Sequence, residues 1–172
     1  MDTSKITHAQ VMQAAVSWLY RPFQTLIATE LTDKSWADYR LDVVAVDPNK
    51  HHIRIVECKA SRGDFLAGRK NFEVYMTMCH QFYIAAPCDM IKLEELPKEI
   101  GLIEVGAGGW KRQKQWAVRR SMENHVYTNI LERVIQKIAV ERSLPPWDKR
   151  RAVYPPPHNA DNCPRRHLEP LR

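Results

Sequence analysis

Two β-branched runs, RLDVVAV at residues 40–46 and HIRIVECK at residues 52–59, flank the tetrad Asp47-Pro48-Asn49-Lys50. Proline pre-sets φ and asparagine tolerates the left-handed region, so the tetrad is a turn and the runs close a β-hairpin. The hairpin carries charge where a buried strand should have none. Asp42 interrupts the first run, and Glu57 and Lys59 share one face of the second, because strand side chains alternate. A turn centred between Asn49 and Lys50 sets Asp42 opposite Glu57 and Val46 opposite Ile53. Directly opposed Cβ atoms lie about 5 Å apart.

Two carboxylates that close inside apolar strands repel, and three things relieve them. One acid holds a proton at a raised pKa. Or Lys59 bridges Asp42 and Glu57 as a structural ion pair, an arrangement that is often energetically neutral. Or a divalent cation sits between them. Hard oxygen donors select Mg²⁺ or Mn²⁺, and a lysine at such a site can orient or deprotonate an attacking water. On spacing alone the ion pair and the cation site stand level.

The chain has 172 residues, 44% hydrophobic and 27% charged, which suits one globular domain and excludes a coiled coil or a wholly disordered chain. Apolar periodicity predicts helices over 6–20, 64–78 and 122–141. The first carries Val11, Ala15, Trp18 and Leu19 on one face; the second carries Phe65, Leu66, Phe72, Tyr75 and Met76; the third carries Val126, Ile130, Leu131, Val134, Ile135 and Ile138. Further strands are expected at 24–30, 81–87 and 101–105. The strand–helix–strand unit after the hairpin should be a right-handed parallel crossover. His51 and His52 fall in the turn and read as exposed turn residues. Seven of the 11 prolines lie beyond Leu144 among arginines and lysines, so 1–143 is read as the folded domain and 144–172 as a basic, extended or disordered tail.

Charge is uneven. Residues 1–110 balance at −2 and residues 111–172 at +8, which suits a polyanionic partner, most simply DNA. Lys111, Arg112, Lys114, Arg119 and Arg120 alternate with Trp110 and Trp116, a pattern fit for phosphate contact and base stacking, or for a basic surface strand anchored by its tryptophans. No apolar run approaches the ~20 residues of a membrane span. The four scattered cysteines, without a CxxC pair, suit free thiols, and the N-terminus lacks the pattern of a secretory signal; together these predict a cytoplasmic protein.

The D-x14-E-x-K spacing on consecutive strands, Asp42 to Glu57 and Lys59, resembles the PD-(D/E)xK nuclease superfamily. The next stretch, residues 61–87, resembles one branch more closely, the MmcB-like DNA-repair proteins, with their run E-x-K-x-S-x-x-D-F-x-x-D-x-K and a tyrosine five residues after the last lysine. The resemblance spans about residues 24–106 and implies a restriction-endonuclease-like α/β fold, a mixed β-sheet flanked by helices. It implies that Asp42, Glu57 and the main-chain carbonyl of Cys58 bind Mg²⁺ or Mn²⁺, that Lys59 activates water, and that Glu30 completes the site. It also implies that Lys70 and Tyr75 face the reacting phosphate, although a solvated lysine and a core aromatic would suit the same positions. Two positions depart from the pattern: Leu41 stands in place of the proline and Gly68 in place of an aspartate. Asp64 is kept, and an N-cap role explains it. The resulting expectation is a metal-dependent deoxyribonuclease, structure-directed or non-specific because no base-reading code is present, with a non-cleaving DNA-repair accessory module as the alternative.

Overall fold

Six strands form one open sheet in chain order, and the computed structural model describes residues 6–21, 24–32 and 39–143 of the chain. They are β1 (Leu26–Thr32), β2 (Arg40–Asp47), β3 (His52–Cys58), β4 (Gln81–Pro87), β5 (Gly101–Val105) and β6 (Lys111–Gln115). β1, β2 and β3 pair antiparallel, β3, β4 and β5 parallel, and β6 returns antiparallel to β5. The sheet is therefore mixed, with helices on both faces, as the expected α/β class requires. The tail expected at 144–172 lies outside the described residues, as does most of the β1–β2 connection.

Strand alternation builds two cores. Val44, Val46, Ile53, Ile55, Phe82, Ile84 and Leu102 face one side, under α2 (Arg62–Gly68), α3 (Phe72–Thr77) and α4 (Asn124–Ser143). Val43, Ala45, Val56, Tyr83, Ala85, Ile103 and Val105 face the other, under α1 (His8–Leu19). Covering both faces is why β2 to β5 read as near-continuous apolar runs. α1 begins with a reciprocal cap: Gln10 N–H donates to the Thr7 hydroxyl at 3.3 Å, and Thr7 N–H to Gln10 Oε1 at 2.8 Å.

Three helical expectations change. The predicted helix 64–78 is two α-helices joined by a 3₁₀ turn at Arg69–Asn71, and its Leu66 faces solvent. In α4 the buried residues are Tyr127, Ile130 and Val134, while Ile135 is exposed. An apolar period without a partner on that side leaves its outer residues in water. Finally, Ser61 caps α2, its hydroxyl accepting from Asp64 N–H at 3.2 Å, so Asp64 is not the cap.

β3, β4 and β5 run the same way, with Cys58 level with Ala85 and Ala85 with Ile103. Their carboxyl ends share one edge, the place where open α/β sheets gather ligand chemistry. The β2–β3 turn lies at the other end, a 3₁₀ turn at Pro48–Lys50 capped by Asp47 and followed by left-handed His51.

Candidate active site

The hairpin register steps from Val46 opposite Ile53 to Val43 opposite Val56, so the next pair is Asp42 and Glu57, with Glu57 on the strand face of Ile53 and Ile55. The regular ladder stops there. Instead, the Cys58 amide donates to Asp42 Oδ2 at 2.8 Å, so a side chain replaces the backbone acceptor. A hydrogen-bonded residue of an antiparallel ladder turns its N–H and C=O toward the same neighbour, which puts the Cys58 carbonyl on the Asp42 side. Lys59 Nζ donates to Glu57 Oε1 at 3.0 Å and to Asp64 Oδ1 at 3.3 Å. Asp42, Glu57 and Lys59 are all buried, at 4%, 6% and 6% exposure. The lysine thus bridges Glu57 to Asp64, not to Asp42.

The energetics follow from that burial. Burial, then the neighbouring Asp42 charge, raises the Glu57 carboxyl to about 7, against the pull of Lys59. Burial raises Asp42 too, opposed by the Cys58 amide and then by His8. Burial alone would lower the Lys59 ammonium, but Glu57 and Asp64 outweigh it and hold it above its ordinary value. Two buried polar atoms here have no hydrogen-bond partner: Glu57 Oε2 and His8 Nε2. His8, from the first turn of α1, brings Nε2 to 3.8 Å from Asp42 Oδ1. Two electron-rich carboxylates beside an unpartnered buried oxygen fit a hard divalent cation, with Asp42, Glu57 and the Cys58 carbonyl as the oxygen donors.

The other expected residues divide. Tyr75 is buried against Tyr39 and Phe82, and burial, then the Glu57 charge, raises its phenol, so it is a core aromatic within the field of the acid pair. Lys70 lies exposed on the 3₁₀ turn. Glu30 stands level with Asp42 in the β1–β2 register, but its φ of 49° breaks the alternation there; half-exposed, it pairs with Arg40 at 3.6 Å. Gly68 packs on Lys59: a Cβ there would lie 2.7 Å from Nζ and 2.8 Å from Cε.

Sequence reasoning missed His8 and misread Asp64. The Ser61-x-x-Asp64 spacing is itself a capping signal, with the cap at the serine and the acid inside the first turn. Nothing local marks His8, because packing of α1 across the sheet brings it to Asp42.

The basic segment is split by the sheet. Lys111 and Arg112 open β6 beside Val105 and Glu104, at the same edge as Lys59. Arg120 N–H donates to the His80 carbonyl and Val118 N–H to that of Glu99, both ahead of the parallel strands, so Arg119 and Arg120 lie at the far end. Five strand residues separate Glu57 from His52 at that end, about 17 Å. Arg112 and Lys114 are also committed to structure. Glu104, 1% exposed, accepts from Arg112 at 2.7 Å and from Lys114 at 3.0 Å. Burial would raise this carboxyl, but the two cations hold it low. Cys88, Asp89 and Glu104 converge within 4.8 Å, yet those cations already neutralise the group.

The turn histidines are not exposed as a pair. His52 is buried, stacks on His80 with ring centroids 5.0 Å apart and bonds Gln81 at 3.1 Å, while His51 stacks on Tyr127. His80 Nδ1 accepts from Ile53 N–H at 3.0 Å, tying the turn to the start of β4.

Comparison with known proteins adds a family and a fold. The family model described as "DNA repair protein MmcB-like" matches residues 1–139. A protein of unknown function from Silicibacter pomeroyi, SPO1766, superposes with a TM-score of 0.66 at 22% identity, over 83% of this chain and 91% of its own. No curated protein matches the chain in sequence. Among the described residues, no helix is long and apolar enough to cross a membrane.

Proposed function

The chain belongs to the MmcB-like DNA repair protein family, and we propose that it is a divalent-metal-dependent nuclease that hydrolyses DNA phosphodiester bonds. One observation carries the reading. Glu57 is buried beside Asp42 with Oε2 lacking a hydrogen-bond partner, an arrangement that costs free energy unless a cation or a proton completes it, and a cation lets both acids stay ionised. The residues that would hold Mg²⁺ or Mn²⁺ are Asp42, Glu57 and the Cys58 carbonyl. Such an ion supplies Lewis-acid stabilisation of the phosphate and lowers the pKa of water. Asp42 is aimed by the Cys58 amide, so the carboxylate is fixed before any ligand arrives. Lys59, charged and held by Glu57 and Asp64, presents Nζ to an attacking water and offsets phosphate charge. Among the described residues no base-reading set accompanies these groups, so cleavage follows DNA structure, or is non-specific.

A labelled DNA panel titrated with Mg²⁺ and Mn²⁺ tests this. Wild type should cleave only with metal, and Glu57→Ala and Lys59→Ala should each lose at least a hundredfold in rate, the scale of general acid–base and electrostatic contributions. Metal-independent cleavage, or full activity in either variant, would refute it.

One observation favours a second reading, a DNA-repair accessory module without turnover. Lys59 is already tied to two carboxylates, a closed network that can serve shape alone. This reading predicts DNA binding that needs no metal, and no cleavage of any member of the panel.

A further inference from the structure

At the carboxyl edge of the sheet a cavity of about 380 Å³ lies between α1 and the loop that follows β5. Its floor is the glycine run Gly106 to Gly109, in which Gly108 and Gly109 both take φ of 79°. The loop closes on itself, Gly106 N–H donating to the Trp110 carbonyl at 2.9 Å and Gly109 N–H to that of Gly106 at 3.1 Å, so the charge an anion would meet here is that of the lysine beside it. Lys111 closes one wall, its Nζ bonding Ser17 Oγ at 2.7 Å. An ammonium has three donors, and Ser17 takes one. Gln10 and Gln13 of α1 line the opposite wall. The wall is neutral or cationic, so a phosphate enters without meeting a carboxylate.

Trp110 stands at the mouth. Its indole lies against the Cα of Gly106, where a Cβ would come within 1.8 Å of the ring, and the side chain is 48% exposed. The ring is thus held by a backbone contact that only glycine permits while much of it faces solvent. The first turn of α1 also meets the acid pair, His8 Nε2 standing 3.8 Å from Asp42 Oδ1, while Gln10 and Gln13 on another side of the helix line the cavity. From β3 to β5 is two strand spacings, about 10 Å, roughly three nucleotides of a stacked strand at ~3.4 Å each.

We propose that the Gly106–Gly109 cavity with Lys111 holds a backbone phosphate, and that Trp110 stacks a base, so that this edge binds an unpaired DNA strand. In a duplex both faces of a base are covered by its neighbours, and an indole can stack only on a base that is single-stranded or splayed out. The proposal rests on the nuclease reading for where the strand leads, but its test is one of binding.

Fluorescence anisotropy of a labelled oligothymidine and of a blunt, hairpin-closed duplex, both in EDTA, measures it without turnover. Wild type should prefer the single strand. Trp110→Ala and Gly106→Ala should each weaken single-strand binding about 5- to 150-fold, the range for one lost base stack, with duplex binding unchanged. Gly106→Ala keeps the tryptophan but displaces it, so the pair separates stacking from folding. Trp110→Phe should recover most of the affinity. Lys111→Met should flatten the log-affinity against log-salt slope by about 0.7. Inorganic phosphate as competitor tests the source of the anion: displacement of the oligonucleotide at low millimolar concentration would mean a small-anion site, and overturn the strand assignment. Equal loss on both DNAs, no loss in either variant, a larger loss from Trp116→Ala at the far edge, or no DNA binding by wild type would overturn it too. If the binding pattern holds while Glu57→Ala leaves cleavage untouched, the nuclease reading fails and the subsite stands.

Discussion

Gly68 lies so close against Lys59 that a methyl group on its Cα would sit 2.7 Å from Nζ. The contact is with the flexible end of the lysine, so the fold can absorb it, but the ammonium cannot keep its place between Glu57 and Asp64. Gly68→Ala should therefore separate stability from chemistry. Helix propensity gains about 0.5–1 kcal/mol, and the melting temperature should hold or rise slightly. Metal-dependent cleavage should fall about 10- to 100-fold, the range of a displaced catalytic group. Unchanged cleavage would show that the position of Nζ is irrelevant.

Replacing Glu57 by Gln removes a buried negative charge beside Asp42 and keeps its shape. Without metal, the variant should be as stable as wild type or more so. Wild type should gain thermal stability with Mn²⁺, about 2.7 kcal/mol at a hundredfold excess over Kd, and Glu57→Gln should gain almost none. Scanning calorimetry with and without Mn²⁺ decides, and an equal shift in both proteins would remove Glu57 from the metal set.

The Glu104 network should behave as structure and not as a DNA contact. Arg112→Ala combined with Lys114→Ala leaves a 1%-exposed carboxylate uncompensated. The urea midpoint should fall, though by less than for a fully buried pair, because Arg112 is half exposed. Adding Glu104→Gln should reverse most of the fall. Urea denaturation of the three proteins tests this, and an undiminished midpoint in the double variant would contradict it.

Histidine burial predicts an acid-sensitive end of the sheet. Burial, then the neighbouring His80, lowers His52 to about 4, against an ordinary value of 6.5. The unfolded chain binds this proton first, so the stabilisation is complete above pH 6.5 and lost as pH falls toward 4. His52→Gln can still bond Gln81 and should show a flatter fall between pH 7 and 4.5 in urea titrations. Parallel curves would place the acid sensitivity elsewhere.

The hairpin was legible because its turn chemistry set the register, and with it the facing of Asp42 and Glu57. Strand existence followed from β-branched runs, and the parallel crossover from strand–helix–strand order. Lys59 was found, but its second partner was not: Asp64 looked like a cap until Ser61 was seen to fill that role. His8 was illegible because its neighbour lies across a sheet, a relation with no local period. The split of the basic segment was hidden for a similar reason, since the return of β6 carries Lys111 and Arg120 to opposite ends of the molecule.

The acid pair comes from two strands joined by a three-residue 3₁₀ turn, so it is closed by a short-range contact. Such contacts form early, while the parallel pairing of β3 with β4 must wait for the crossover. The acids are therefore brought together by a local hairpin, whereas Lys59 takes its seat against Asp64 and Gly68 only as the crossover docks.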